Sequence, residues 1–436
     1  MSVVPAWIHA AAARRGDWVA IEGPERSLTY AELRDEAVRA ARALRGARRV
    51  AIALAPGEEF VIALHACLVA GAAVVPIDLR LAPAEREQRA AGADVVLDAP
   101  VAIGAPTPWR LAGQPASPDE RGERTGSADG AAAVVHTSGT TAASKAVVLT
   151  HGNFLASALG SAVALGLDPA ERWLCPMPLT HVGGLSIPIR SAIYATTAVL
   201  HVRFDTDAAL AELMDPARRI TLVSLVPTML ARLLDAGLAR PPTLRWALLG
   251  GGPIPPALLE RAREAGVPVA PTYGMTEACS QIATFGFALP GVELIVADDA
   301  EVLVRGPIVA PGAVSDDGWL HTGDLGRLDE RGALEIIGRK SDTIITGGEN
   351  VAPTEVEAVL LEHPAVADAA VHARHDPEWG EAVVATVVLR DGRTASPEEL
   401  RTHCAARLAA FKVPKAVSFS DRLPRTVSGK LLRRQL

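Results

Sequence analysis

The stretch Val134–Asn153, VVHTSGTTAASKAVVLTHGN, has apolar runs on either side of a middle that is rich in small hydroxyl side chains. The apolar run Ala131–Val135 is typical of a buried strand. A strand that leads into a loop of Gly, Ser and Thr exposes backbone N–H groups and hydroxyls, and such a loop can wrap a phosphate. Lys145 would add a point charge beside that phosphate. Because no Gly directly precedes this lysine and no Ser or Thr follows it, the stretch is not a Walker A loop. A polar turn between two strands is the alternative interpretation.

Apolar segments of strand length alternate with helical segments through most of the chain. The strand candidates are Arg49–Ala55, Ala73–Asp78, Asp94–Asp98, Ile220–Val226, Arg245–Leu249 and Val267–Ala270. The helix candidates are Tyr30–Leu44, Glu58–Ala70 and Pro255–Ala265. This alternation predicts parallel sheets with helices on their faces. The polar segment Gln114–Gly130 lacks any such pattern and predicts an exposed loop.

The pattern changes from about Arg339 onward. Two capping signals, Thr354-x-x-Glu357 and Ser396-x-x-Glu399, predict the starts of two helices. Strands are predicted between these signals at Ala367–Ala373 and Ala382–Leu389. Strands and helices within one short block predict a small α+β unit.

The length of the chain predicts more than one core. The chain has 436 residues, of which 49% are hydrophobic, and single cores rarely grow beyond roughly 250–300 residues. We therefore predict an α/β protein with a large N-terminal domain of stacked, mostly parallel sheets and helices, residues 1–338. A small C-terminal α+β domain, residues 339–436, would follow it.

Charge, apolar runs and cysteines restrict the class of the protein. The net charge of −7 argues against nucleic acid as the main partner, because phosphate binding needs a basic surface. The N-terminal segment does not have the pattern of a signal peptide, and no apolar run reaches roughly 18 residues, so no membrane span is predicted. Scattered cysteines without a CxxC pair are typical of buried thiols in a reducing compartment, which predicts a cytoplasmic protein. They are Cys67, Cys175, Cys279 and Cys404.

Further motifs follow the opening stretch in order. They are Gly250-Gly251-Gly252-Pro253, Tyr273-Gly274-Met275-Thr276-Glu277, Thr322-Gly323-Asp324, Gly338-Arg339-Lys340-Ser341-Asp342 and Pro424-Arg425-Thr426-Val427-Ser428-Gly429-Lys430. Together with the loop Thr137-Ser138-Gly139-Thr140-Thr141 and Lys145, the series resembles the adenylate-forming superfamily of acyl-CoA synthetases, adenylation domains and luciferases. The loop departs from the family pattern, which usually has Gly, Pro and Gly, at Ala142, Ser144 and Ala146.

The resemblance implies a reaction in two halves. A carboxylic acid attacks the α-phosphate of ATP, which gives an acyl-adenylate and pyrophosphate, and the thiol of CoA then displaces AMP. Lys430, on the small domain, would reach between the carboxylate and the α-phosphate as charge develops there. The small domain is mobile in this family because the two halves need two arrangements of it, and Ser341 would be the hinge. ATP, Mg²⁺ and CoA are therefore the expected ligands.

The resemblance also assigns residues to the nucleotide. The β- and γ-phosphates would be held by Thr137, Ser138, Gly139, Thr140, Thr141 and Lys145. The other nucleotide-binding positions would include Gly250, Gly251, Gly252, Tyr273 and Gly274. Thr276 would donate to the α-phosphate, and Glu277 would bind Mg²⁺, a hard cation that prefers carboxylate and phosphate oxygens. Asp324 would accept hydrogen bonds from both ribose hydroxyls, with Arg339 as a second ribose contact.

Two adjacent glycines, Gly347 and Gly348, are the candidates for the CoA site. In the thiol-transfer arrangement of this family they would lie near the pantetheine channel, and glycine permits the close approach of a ligand chain. A tight turn is the alternative interpretation, and both can hold.

Two local segments resemble the o-succinylbenzoate–CoA ligases of menaquinone synthesis. One is Ala278-Cys279-Ser280-Gln281, directly after Glu277, and the other runs from Pro178 to Arg190. Ser280 and Gln281 could donate hydrogen bonds to the aromatic ketone of such a substrate.

The second, unreacted carboxylate of this acid needs a partner in the protein. Arg190 and His181 are the candidates, since arginine can bind a carboxylate through two hydrogen bonds. His181 would also border the acyl pocket and belongs with Thr276 and Lys430 in the expected catalytic set. For Arg190, a solvated position on a helix face is the alternative interpretation.

The sequence leaves other functions open. One is an aryl- or fatty-acid CoA ligase of another pathway, and another is a stand-alone adenylation enzyme that loads a carrier protein in trans. A non-catalytic nucleotide-binding relative is disfavoured by the presence of Lys430, Glu277 and Asp324, because such a protein has no need of the closing lysine. The expected partners are a small carboxylic acid, ATP and CoA, and a homodimer is possible.

Overall fold

The computed structural model describes residues 3–4, 6–99, 110–111, 126–137, 145–425 and 431–436. In these residues the strands are β1 Val3–Val4, β2 Val19–Glu22, β3 Ser27–Thr29, β4 Arg49–Ile52, β5 Ala73–Pro76, β6 Val95–Leu97, β7 Arg110–Leu111, β8 Gly126–Ser127, β9 Ala131–Thr137, β10 Lys145–Thr150, β11 Arg172–Cys175, β12 Thr197–Leu200, β13 Leu222–Leu225, β14 Trp246–Leu249, β15 Val269–Met275, β16 Ser280–Thr284, β17 Phe287–Ala288, β18 Glu293–Val296, β19 Glu301–Arg305, β20 Leu320–Leu328, β21 Leu334–Arg339, β22 Ile344–Thr346, β23 Glu349–Val351, β24 Val366–Asp376, β25 Gly380–Leu389 and β26 Ala416–Phe419. The α-helices are α1 Trp7–Arg15, α2 Tyr30–Ala41, α3 Glu58–Ala70, α4 Pro83–Ala90, α5 His151–Leu165, α6 Val182–Tyr194, α7 Thr206–Met214, α8 Pro227–Asp235, α9 Pro256–Glu264, α10 Pro353–Leu361 and α11 Pro397–Ala405.

Two large sheets form the N-terminal part of the chain. A six-stranded sheet has the order β10-β9-β5-β4-β6-β7, and a nine-stranded sheet has the order β17-β16-β15-β14-β13-β11-β12-β2-β3. The inner strands β15, β14, β13, β11, β12 and β2 run parallel, and antiparallel pairs lie at the edges. The inner strands read as continuous apolar runs because both faces of a parallel sheet are covered. The prediction of stacked, mostly parallel sheets is confirmed.

One hydrophobic core joins the two large sheets. It contains residues of both sheets together with residues of helices α1, α2, α3, α5 and α6. Helix α3 is buried over most of its length, as expected of a helix that is apolar on all sides and lies between layers. A third, four-stranded antiparallel sheet, β18-β19-β20-β21, follows in the chain. It places strands β20 and β21, which carry two of the motifs, side by side.

The C-terminal part has a hydrophobic core of its own. Strands β22 to β26 form one sheet, and its buried side chains pack with those of α10 and α11. The predicted small second domain is therefore confirmed, whereas its boundary between residues 338 and 339 stays a prediction. None of the described helices is both long enough and apolar enough to cross a bilayer.

The two predicted capping boxes have different outcomes. Ser396 accepts a hydrogen bond from the backbone N–H of Glu399, and the Glu399 carboxylate accepts from that of Ser396, so this box is confirmed. The box at Thr354 is wrong, because α10 begins at Pro353 without a side-chain cap. The Thr354 hydroxyl donates instead to the carbonyl of Ile337. The side chain of Glu357 also makes a tertiary contact instead of a capping hydrogen bond.

Two element boundaries also differ from the sequence prediction. The helix predicted at Tyr30–Leu44 ends its α-helical part at Ala41 and continues as a 3-10 turn, Arg42–Leu44. The loop predicted at Gln114–Gly130 is wrong at Gly126–Ser127, which pairs antiparallel with β1. Residues 114–125 lie outside the described residues.

The C-terminal Arg433 joins separate parts of the small domain. Its guanidinium donates to the carboxylate of Glu357 and to the carbonyl of Val371, and it lies 3.3 Å from the carboxylate of Asp342. Arg433 and Glu357 are both largely buried. Burial opposes the charged form, but Glu357 and Asp342 raise the pKa of Arg433 above its ordinary value.

We expect Arg433→Met to destabilise the small domain by about 3–5 kcal/mol, because losing one partner of a buried ion pair leaves the other charge unpaired. Hydrogen exchange of the β24 and β25 amides in the full chain would measure this change. Arg407→Met is the control, since the pair between Arg407 and Glu362 is exposed and such pairs contribute about 0–1 kcal/mol. Equal protection in the two variants would contradict the prediction.

Candidate active site

The candidate site lies along the carboxyl ends of the parallel strands in the nine-stranded sheet. Strand β11 leads to the segment with His181, β14 leads to Gly250, and β15 contains Tyr273 and Gly274. Adjacent parallel strands end at one edge of a sheet, which is the usual ligand position in α/β folds. The order of the sheet therefore brings together motifs that are far apart in sequence.

The phosphate-loop candidate is the connection of an antiparallel hairpin. Thr137 and Lys145 face each other at the ends of β9 and β10, and the Thr137 hydroxyl donates to the carbonyl of Lys145 at 3.2 Å. Strand β10 packs against the 3-10 turn Thr276–Ala278. The candidates Ser138, Gly139, Thr140 and Thr141, and the departures Ala142 and Ser144, lie outside the described residues. The hairpin is consistent with the interpretation of this stretch as a turn between two strands. Strand β10 also lies close to Thr276–Ala278, the turn that contains the predicted Mg²⁺ ligand Glu277.

The glycines after β14 form an open backbone surface. Gly250 lies so close to β15 that a Cβ on it would be 2.8 Å from the carbonyl oxygen of Thr272. Gly251 has a positive φ of 80°, and a Cβ on Gly252 would meet nothing within 4 Å. The backbone at Gly252 is therefore accessible, and the nucleotide-binding role of the three glycines stays a prediction.

The turn after β15 is unusually constrained. A Cβ on Gly274 would lie 1.6 Å from the carbonyl oxygen of Ser280, so only glycine fits there. Cys279 and Ser280 both have positive φ, 50° and 93°, which is costly for residues other than glycine. The carbonyl of Glu277 accepts from the N–H of Ala310 at 2.8 Å, and its carboxylate-bearing side chain is half-buried. The predicted α-phosphate and metal residues therefore sit on a turn held by its surroundings.

Asp324 connects three of the sequence motifs. Asp324 is 5% exposed, and its carboxylate accepts a hydrogen bond from the Tyr273 hydroxyl at 2.8 Å. The guanidinium of Arg339, its neighbour across the strand pair, lies 2.8 Å from the other carboxylate oxygen. Burial and the adjacent negative charge of Asp324 raise the pKa of Tyr273 well above its ordinary value, so the tyrosine stays a donor. The structure brings the predicted ribose residues together.

His181 lies in the segment that joins β11 to α6. It is the residue directly before helix α6. It also affects the pKa of Asp78, which follows β5 in the six-stranded sheet. Burial opposes ionisation of Asp78, but its interactions with Arg80 and, to a smaller extent, the nearby His181 lower the pKa of Asp78. His181 is half-buried, as expected of a residue that borders a pocket.

Arg190 is buried inside the large domain. It is 2% exposed, so the interpretation as a solvated helix-face arginine is wrong. One Nη donates to the Ser157 hydroxyl at 2.9 Å, the guanidinium lies 5.7 Å from the Trp173 ring centre, and its Nε has no hydrogen-bond partner in the described structure. Burial lowers the pKa of Arg190. A buried guanidinium without a carboxylate among its described contacts is costly, which suits a site for an incoming anion.

The two other predicted acid-binding residues have different environments. Ser280 is half-buried at the strained turn. Gln281 is fully buried on β16, where its Nε2 donates to the Thr284 hydroxyl at 2.9 Å and its Oε1 lacks a partner in the described residues. One of the two amide hydrogens of Gln281 is therefore already engaged within the protein.

In the small domain, Gly347 and Gly348 form a two-residue turn between β22 and β23. Both have positive φ, 59° and 85°, which matches the tight hairpin turns that glycine favours. The interpretation as a tight turn is confirmed, and the CoA role stays a prediction. The predicted hinge, Ser341, lies in a 3-10 turn beside Lys340, whose ammonium contacts Asp299 at 2.6 Å and Glu301 at 3.0 Å.

Comparison with known proteins gives the family. The sequence matches the AMP-binding enzyme family over residues 8–313 and the AMP-binding enzyme C-terminal domain over residues 355–430. The chain belongs to the AMP-binding enzyme family. It is 37% identical to a 2-succinylbenzoate–CoA ligase of Bacillus licheniformis, over 99% of both chains.

Solved structures of the same family have the same fold. The o-succinylbenzoate CoA synthetase of Bacillus subtilis in complex with the acyl-adenylate intermediate OSB-AMP superposes with a TM-score of 0.89 at 35% identity, covering 100% of this chain and 98% of that one. The same enzyme with ATP and a magnesium ion gives a TM-score of 0.87 at 36% identity, covering 99% of each chain.

Sequence reasoning missed two side chains that support the AMP-binding enzyme site. Asn153 closes a capping box with Thr150 and donates to the carbonyls of Pro307 and Val309; the box is visible as a Thr-x-x-Asn pattern. Ser157 contacts the turn after β15, and no local pattern marks it. Lys430 and the rest of its motif from residue 426 lie outside the described residues.

Proposed function

We propose that this AMP-binding enzyme is an acid–CoA ligase that converts o-succinylbenzoate, ATP and CoA into o-succinylbenzoyl-CoA, AMP and pyrophosphate. The reaction passes through an acyl-adenylate and serves menaquinone biosynthesis. The family match supports the AMP-forming reaction, and the relatives named 2-succinylbenzoate–CoA ligase support the acid. The grouping of nucleotide and acid candidates along one sheet edge supports both.

The nucleotide is held by the hydroxyls and backbone donors of a loop, by Lys145 and by the pair Asp324 and Arg339. The hairpin loop between Thr137 and Lys145 binds the β- and γ-phosphates, and the glycines after β14 accept the adenine. Asp324 accepts hydrogen bonds from the ribose hydroxyls, and Arg339 shifts from the carboxylate toward the ribose. The pair is pre-positioned for this exchange, since both carboxylate oxygens already accept hydrogen bonds.

The residues around Glu277 fit a magnesium ion carried by ATP. The described residues contain no group of three or more side chains that could hold a metal alone. A single carboxylate together with phosphate oxygens is the coordination that Mg²⁺ prefers, and Glu277 offers that carboxylate beside the hairpin. When bound, the ion would neutralise charge on the phosphates.

The observation that carries the choice of a diacid is the buried guanidinium of Arg190. A buried charge is stabilised when an opposite charge pairs with it, and the second carboxylate of o-succinylbenzoate supplies such a charge. His181 borders the reacting acyl group, and Ser280 contributes a hydroxyl near the aromatic ketone. Gln281 supports this pocket from the buried side of β16.

The two half-reactions use the two domains. Residues 1–338 bind ATP and the acid, and residues 339–436 form the lid, which turns at Ser341. Lys430 neutralises charge between the carboxylate and the α-phosphate, where Thr276 also donates. The turn at Gly347 and Gly348 then borders the pantetheine of CoA. A cytoplasmic location and a homodimer belong to the same proposal, and cell fractionation and sedimentation would test them.

We expect Arg190→Gln to raise KM for o-succinylbenzoate by about 10–100-fold, because a hydrogen bond to a charged group contributes about 1.5–3 kcal/mol. Pyrophosphate release in the presence of ATP and Mg²⁺ measures this change. Benzoate and 4-oxo-4-phenylbutanoate are the control substrates, because each lacks one carboxylate of the diacid. For whichever of these monoacids the enzyme adenylates, Arg190→Gln should change KM by less than about threefold, which is within the range of a weak contact. An equal rise in KM for diacid and monoacid would remove Arg190 from the acid site.

A screen of acids separates this function from its alternatives. Pyrophosphate release is measured with o-succinylbenzoate, benzoates, fatty acids and amino acids, each with and without CoA. The proposal requires the highest kcat/KM with o-succinylbenzoate and formation of the CoA thioester. A preference for a fatty acid, or adenylation without transfer to CoA, would overturn it.

A further inference from the structure

Ser157 links the acid candidate Arg190 to the turn that carries Thr276 and Glu277. Its hydroxyl donates to the carbonyl of Cys279 at 2.7 Å and accepts from Arg190 at 2.9 Å. Ser157 is 1% exposed, so bulk solvent does not compete for either bond. Helices α5 and α6 and strand β16 pack against one another at this point.

The direction of these two hydrogen bonds is determined by the chemistry of arginine. A guanidinium has only donors, so the Ser157 oxygen must accept from Arg190. The single hydroxyl hydrogen of Ser157 is then directed to the carbonyl of Cys279. Donation from a charged group polarises the hydroxyl and strengthens its own hydrogen bond.

The carbonyl of Cys279 belongs to the residue that ends the 3-10 turn Thr276–Ala278. The N–H of the same residue donates to the carbonyl of Thr276 at 3.0 Å and closes the 3-10 turn. The positive φ of Cys279 and of Ser280 persists only where the surroundings hold the backbone. A rotation of the peptide after Cys279 would therefore also displace Thr276 and Glu277.

We propose that Ser157 is a positioning residue that couples the acid site to the adenylation turn. It holds the peptide of Cys279 so that Thr276 and Glu277 face the phosphates, and Arg190 orients its hydroxyl for this contact. This inference rests on the proposed function, because it assumes that the turn acts on ATP and that Arg190 receives the acid. Ser157 itself touches neither substrate.

The test compares Ser157→Ala with Ser161→Ala. Ser161 is equally buried on the same helix and has no hydrogen bond to the turn in the described structure. Adenylation is measured by pyrophosphate release from o-succinylbenzoate and ATP, and thiol transfer is measured from supplied acyl-adenylate and CoA. We expect Ser157→Ala to lower kcat of adenylation by about 10–100-fold, in line with the effect of small displacements of reacting groups. KM for the acid and the rate of thiol transfer should stay within about threefold, which corresponds to less than 1 kcal/mol.

Two further variants keep the test decisive. Ser157→Thr retains the hydroxyl and should recover most of kcat. If Ser157→Ala does not fold, Ser157→Cys replaces it, and its weak S–H donor should give a partial loss of kcat at unchanged acid KM.

The possible outcomes separate the inference from the proposed function. A Ser157→Ala enzyme that behaves like Ser161→Ala, that loses acid affinity instead of kcat, or that loses both half-reactions equally overturns the positioning role. Wild-type kcat in Ser157→Cys does the same. Absence of pyrophosphate release by the wild-type chain with every acid would instead overturn the proposed function.

Discussion

Lys430→Ala is expected to lower the rate of acyl-adenylate formation by about 10²–10³-fold, the usual effect of removing one group that stabilises developing charge. Transfer from a supplied acyl-adenylate to CoA should change by less than about threefold, because the two halves have different transition states. Quenched-flow measurement of each half-reaction would determine both rates. The flanking residues Arg425 and Leu431 pair as a bridge, and Arg425 is bound to Asp368 by two contacts.

Lys415→Ala is the matched control for this prediction. Lys415 is an exposed lysine of the same domain, and it lies 4.4 Å from the Trp379 ring centre. Its loss should leave adenylation within about twofold, because an exposed charge contributes little beyond its contacts. A Lys430→Ala enzyme that loses both half-reactions to the same extent would show that this lysine stabilises the domain rather than the reacting phosphate.

Gly274→Ala is expected to lower kcat of adenylation by about 10²-fold or more, since a displacement near 1 Å at a reacting group has this effect. The added Cβ would lie 1.6 Å from the carbonyl oxygen of Ser280 and 2.9 Å from the Cα of Gln281. Both neighbours are backbone atoms, so β15 and β16 must separate. Such overpacking also destabilises a protein by about 1–3 kcal/mol, which urea denaturation would detect.

Gly312→Ala is the control for the change at Gly274. A Cβ on Gly312 would meet nothing within 4 Å, so its activity and stability should stay close to those of the wild type. Equal kcat for the two alanine variants would contradict the close approach of the strands at Gly274.

The grouping of the nucleotide-binding candidates at one sheet edge could be predicted because their motifs lie at the ends of strands. Gly250 and Gly274 follow or end strands of one parallel sheet, and such ends meet at a common edge. The turn at Gly347 and Gly348 could be predicted for a similar reason, because positive φ is a local property of the glycine backbone. In each case the information lies within a few residues.

A local sequence pattern gave a wrong prediction where distant residues bind the side chains that the pattern assigns to a helix cap. Ser396 keeps its capping role, whereas Thr354 bonds to Ile337 and Glu357 pairs with Arg433. A capping signal predicts a local hydrogen bond, but a buried partner from elsewhere in the chain can replace it.

The sequence by itself determined the family of this protein and its parallel sheets. Only the tertiary structure decided that Arg190 is buried and that Ser157 joins it to Cys279. Ser157 lies 33 positions from Arg190 and 122 positions from Cys279. Contacts over such separations depend on how helices and strands pack, and no local pattern of residues encodes that packing.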